Sequence, residues 1–162
     1  MFKYINIFPL LSDFILKSSL GIIFFNYGYG KLQKLINGQG DNLIQMVSSI
    51  PFFGILPVFF SWTLALSETL IIFALIYGTF TFLPLSILIT KLAGIISLII
   101  SLVIVYIHVF MWGDNIFTHG PFEFLNIQEG KKAIFGQALF VPISIYIIFN
   151  NRANLFLIND NK

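Results

Sequence analysis

Glu68 is the only charged residue between Ile55 and Thr90, a stretch long enough to cross a bilayer. An ionisable carboxyl at mid-membrane costs roughly 2.5 to 3.5 kcal/mol on insertion scales, so it belongs against protein and beside a partner. Two chemistries suit such a group: an interhelical ion pair, or proton handling next to a bound redox carrier. Lys31 and Lys17 are the cations within reach, and Lys31 is the preferred one because Trp62 and His108 then share its pocket. Lys31 and His108, with Tyr27 or Tyr106, are candidate donors to the two carbonyls of a quinone head group, a ligand that the spacing does not identify uniquely. A second polar group, Asp13, Lys17 and Lys91, falls at the other end of the same helices, with Asp13 and Lys17 one helical turn apart and expected to pair.

These residues are carried by a very apolar chain. Of 162 residues, 57% are hydrophobic, 10% are charged and 20 are phenylalanine, more apolar surface than a soluble core of this size hides. The intervals 42–67, 69–90, 92–113 and 133–151 contain no Lys, Arg, Asp or Glu, and about 20 such residues make a span. The expected fold is an all-α membrane protein, a single domain over 1–162 built as a four-transmembrane-helix bundle. Its spans are placed at Leu11 to Leu35, Pro57 to Phe82, Pro84 to Met111 and Ala133 to Phe149. Pro57 and Pro84 suit first-turn positions, whereas Pro142 is expected to kink the fourth span. An interfacial helix over Leu43 to Ile50 joins spans one and two, and Trp62, Tyr106 and Trp112 fit an aromatic belt. Apolar residues such as Phe117, Phe122 and Phe124 set the loop from Gly113 to Lys132 against the headgroups.

Asp13, Lys17, Gly21, Phe24, Gly28 and Lys31 recur at steps of three and four, which puts them within about 80° of one another on the first span. Gly94, Ser97, Ser101 and His108 make a similar stripe on the third, with Lys91 near its start. Spans one and three run in the same direction, so Lys31 and His108 share one membrane surface and Lys17 and Lys91 the other. Glu68, 11 residues past Pro57, lies about 16 Å into span two, level with Phe24.

Several chemistries drop out. The absence of cysteine removes disulfides and iron–sulfur ligation, and a net charge of +2 gives no footing for nucleic acid. His108 has no second intramembrane histidine with which to hold a haem, since His119 falls in a loop. Asp114, His119 and Glu123 match no rigid metal-ligand spacing, so no metal is expected. Gly28, Gly30 and Lys31 lack the strand that a phosphate-binding loop requires. Asp13 and Lys17 interrupt the first apolar region, which argues against a cleaved signal. Basic residues number five on one side and four on the other, so charge alone does not orient the bundle. An even number of spans puts both termini on one side, taken as cytoplasmic.

The segment GIIFFNYGYGKL (21–32), the segment ETLIIFALIYG (68–78) and a third span ending in His108 resemble the DoxX family of small bacterial membrane proteins. The likeness rests on Lys17, where that family usually has arginine, on Gly21, Phe24, Gly28 and the Lys31-Leu32 pair, and on Glu68, Gly78, Lys91 and His108 in order. The chain departs from the pattern between Gly78 and Lys91, in the loop 113–132 and in the end of its fourth span. The resemblance implies a four-helix bundle in the bacterial inner membrane whose relatives include a thiosulfate:quinone oxidoreductase subunit and subunits proposed to work with redox partners. Three functions follow for the sequence. It is an anchor or assembly subunit of an oxidoreductase complex, with other membrane or membrane-associated redox subunits, or further copies of itself, as partners in the lipid bilayer. Alternatively it is a quinone-reactive electron-transfer subunit, with quinone as cofactor at Lys31, Glu68 and His108, or a transporter of a small solute or lipid. Enzymatic activity is not fixed by any of these residues.

Overall fold

The computed structural model describes residues 7–111 and 138–150. Among them every element is a helix: α1 (Ile7–Ile36), α2 (Asp41–Ser48), a 3-10 turn (Phe53–Ile55), α3 (Pro57–Tyr77), α4 (Ser86–Tyr106) continued by a π turn (Ile107–Met111), and α5 (Phe140–Phe149). Three segments are long and apolar enough to cross a membrane, Leu10–Ile36, Pro57–Tyr77 and Ser86–Met111. Their outward faces are apolar too: Phe59 and Phe73 are each 60% exposed, and Leu70, Leu88 and Ile99 also point outward. Such a surface is stable against acyl chains and costly in water, so the protein is membrane-embedded.

The helix ends follow local chemistry. Gly38, at φ 70, takes the left-handed conformation that closes α1 and turns the chain into α2. Pro57 opens α3, where its missing N–H costs nothing. The expected second span runs too long, because α3 stops at Tyr77 with Gly78 as its cap. Thr79 to Leu83 carry no charge, so the apolar pattern continues through a turn that the backbone does not continue. Pro84 is likewise not in a first turn: it precedes Leu85, the N-cap of α4, and its carbonyl accepts a 2.9 Å hydrogen bond from the Tyr77 hydroxyl. In α5, Pro142 offers no N–H to the Ala138 carbonyl, and the helix is interrupted at Leu139. The expected fourth span over Ala133 to Phe149 is described only from Ala138; Trp112, the loop 113–132 and the candidate metal ligands Asp114, His119 and Glu123 lie outside the described residues.

Packing is tightest between α1 and α3, which run antiparallel. A Cβ added at Gly21 would lie 2.9 Å from Ile72 Cα, and one at Gly28 would lie 2.6 Å from Glu68 Cβ, so hydrogen is the largest substituent that the contact accepts. The α4 stripe faces α5 in the same manner, with Gly94 against Ile147 and Ile148. Leu20, Phe24, Ile71, Leu75, Ala93, Ile100 and Ile147 fill the space between the four long elements. Several hydroxyls facing this core are satisfied within their own helices. The Thr69 hydroxyl donates to Ala65 O at 2.7 Å, Thr90 to Ser86 O at 2.8 Å and Ser101 to Ser97 O at 2.6 Å.

Candidate functional site

The polar stripe of α1 is buried as its spacing requires. Asp13, Lys17, Gly21, Phe24 and Gly28 are all buried, and Lys31, near the helix end, is half-buried. Gly28 brings the two backbones together beside Glu68, and one turn later the Lys31 ammonium donates to both carboxylate oxygens, at 2.6 Å to Oε1 and 2.7 Å to Oε2. Glu68 therefore sits level with Gly28, one turn beyond the expected level of Phe24. Its side chain is 1% exposed and that of Lys31 25%, so the carboxylate is enclosed while the lysine stem reaches towards the surface. Charge-assisted contacts this short are the strong class, and here they cross between two helices 37 residues apart in sequence.

The other residues proposed around this pair take different positions. His108 is 2% exposed on the π turn, where the local widening of the helix directs it inward. Trp62 is half-buried and makes no hydrogen bond or ring contact among the described residues. Tyr27 is 39% exposed on the outer side of α1, and Tyr106 is 37% exposed with its ring 5.1 Å from that of Phe110. Both tyrosines are thus partly exposed.

At the opposite end, Asp13 and Lys17 form the expected pair at 2.9 Å, both nearly fully buried. Two further partners were not foreseen. Asn150, the C-cap of α5, donates to Asp13 Oδ1 at 3.0 Å, and the Lys17 ammonium lies 3.5 Å from the Gly78 carbonyl that ends α3. Lys17 and Lys91 line one small cavity together with Thr81, Thr90 and Asn150. An interhelical contact between serines was also missed: Ser97 donates to Ser144 at 2.9 Å, and Ser144 donates to Phe140 O at 2.7 Å. A lone serine in an apolar run and an asparagine at a helix end give no signal in sequence that they will face these partners.

A larger opening adjoins α3. It is an apolar groove of about 320 Å³ between α2, α3 and α4, with Val47, Phe60, Leu64, Ile96, Ile100 and Val103 among its walls and the Thr63 and Ser67 side chains at its edge. None of Lys31, Glu68, His108, Tyr27, Tyr106 or Trp62 lines it. The polar pair therefore does not open into this groove, although Leu64, one turn before Glu68, and Ser67, next to Glu68 in the chain, do line it. No family model, no curated protein and no solved structure matches the chain.

Proposed function

We propose that this chain is a DoxX-like subunit of the bacterial inner membrane that anchors or assembles an oxidoreductase complex, its polar core holding helices together and doing no chemistry. The observation that carries this reading is the engagement of Glu68: the Lys31 ammonium donates to both carboxylate oxygens inside a tight, glycine-backed contact between two helices. A group committed in this way fixes helix register and offers little to a substrate. The reading includes a four-span bundle, with α5 part of the fourth span, and α2 lying in the interface between spans one and two. Support for the last comes from its two faces: Val47 is buried against the bundle while Asp41, Asn42, Gln45 and Ser48 are exposed. Both termini are then on the cytoplasmic side, and the partners are redox subunits docked on the bundle.

A quinone-reactive subunit is the second reading, favoured by one feature. The α3–α4 groove has the volume and apolar walls for an isoprenoid tail, and Ser67 at its edge adjoins Glu68 in the chain. Extraction of the tagged protein from its own membranes in mild detergent separates the two. A stoichiometric redox partner with no quinone supports the anchor; bound quinone that is lost in both Lys31→Gln and Glu68→Gln overturns it in favour of the second reading.

A further inference from the structure

Lys91 is half-buried at the start of α4 and makes no ion pair among the described residues. It does not stand alone, because it shares a small cavity with Lys17, which is 4% exposed. Asp13 neutralises Lys17 at 2.9 Å, and the second ammonium is left uncompensated. The rest of the wall is the Gly78, Thr81, Thr90 and Asn150 side of the pocket, closed at the back by Ile87 and Ile147. With Asp13 on Lys17, the cavity keeps one net positive charge, which an anion at its mouth would balance. The cavity has room for about one water-sized group, about 20 Å³, and opens to the outside.

Depth narrows the occupant. Lys91 is five residues past Ser86, about 7 to 8 Å along α4, and Lys17 seven past Leu10, about 10 Å along the first span; lysine stems in helices lean back towards the N-terminus, and the Lys17 ammonium lies beside Asp13 and the Gly78 carbonyl that ends α3, so both charges reach towards the headgroup level. Phosphate oxygens are the abundant anions at that level.

We propose that the Lys17–Lys91 cavity is an oxyanion site that takes one oxygen of a phosphate group at the membrane surface. The Lys91 ammonium supplies the uncompensated charge and Lys17 a second donor, and Thr81, Thr90 and Asn150 are among the residues that line the cavity. The rest of the phosphate group stays at the mouth, since the cavity admits a single oxygen-sized group. Four separate segments, α1, the α3–α4 turn, α4 and α5, contribute to the wall, so an occupant ties the far end of the bundle together as the Lys31–Glu68 pair ties the near end.

The test uses the full chain in detergent with equimolar phosphatidylglycerol and phosphatidylcholine, read by native mass spectrometry, with inorganic phosphate added in a second arm. Wild type is expected to retain the anionic lipid about five-fold over the zwitterionic one, the worth of one lysine near a membrane surface. Lys91→Gln should abolish the preference, and Lys34→Gln, at the exposed end of α1, should keep it. Lys91 has no ion pair to lose, so its variant keeps the test independent of folding; Lys17→Gln would also leave Asp13 without its lysine. If millimolar inorganic phosphate displaces the lipid and raises the melting temperature of wild type but not of Lys91→Gln, the site stands with free phosphate as its source. Equal retention of both lipids with no response to phosphate overturns the proposal. So does a preference that survives Lys91→Gln, or one that falls as far in Lys34→Gln.

Discussion

Removing Lys31 should cost far more than removing Glu68, and the asymmetry follows from burial. Lys31→Met leaves a carboxylate that is 1% exposed without its ammonium. Breaking a buried pair in this way costs about 3 to 5 kcal/mol, and the lower end applies because the lysine is 25% exposed. The expected loss is about 3 kcal/mol, or about two orders of magnitude in the unfolding equilibrium. Glu68→Met leaves an ammonium on a flexible stem already near the surface, which can swing outward for about 1 kcal/mol. The double variant replaces the pair with packed apolar atoms and should lie within about 1 kcal/mol of wild type. A double-mutant cycle, measured by SDS-driven unfolding in mixed micelles, should thus return a coupling of about 3 to 5 kcal/mol. Single-variant losses that are equal, small and additive would refute the argument, because the two groups would then not be holding each other.

Other consequences are local and separable. Gly28→Ala should destabilise by about 1 to 3 kcal/mol in the same assay, since its Cβ would lie 2.6 Å from Glu68 Cβ, whereas Gly30→Ala, with nothing within 4 Å, should gain up to about 1 kcal/mol from helix propensity. Ser97→Ala should cost only about 0.6 kcal/mol, because Ser144 keeps its bond to Phe140 O. Lys17→Met should cost about 3 to 5 kcal/mol by leaving Asp13 buried without its ammonium, and Asp13→Asn in the same chain should recover most of that in a thermal melt. Ser67→Phe should fill the apolar groove without lowering the melting temperature, and any bound quinone tail should be displaced, as read by extraction and chromatography.

Periodicity made half of this legible. The α1 stripe from Asp13 to Lys31 had to be buried, and its glycines had to meet another backbone, because charge and small residues at helical spacing have no other stable place in a bilayer. The Asp13–Lys17 pair followed from a single turn of helix, and the Lys31–Glu68 pair from charge and depth together. The end of α3 did not follow. Thr79 to Leu83 are as apolar as a span, and only Gly78 and Pro84 mark the turn. Partners across the bundle were also hidden: Asn150 reaches Asp13 from 137 residues away, and Ser144 is one hydroxyl in an apolar helix. The groove beside α3 arises from how α2, α3 and α4 diverge, a property of three helices that no single segment records.

The central claim is that Lys31 and Glu68 hold the bundle and do not react. If the chain is the oxidoreductase subunit proposed, the most direct test is the quinone-reductase rate of the complex purified with it, divided by the amount of complex assembled, in wild type and Glu68→Gln. The account predicts that rate and assembly fall in step, leaving the rate per assembled complex unchanged. Full assembly with the rate lost would contradict it and make the carboxyl a participant in the chemistry.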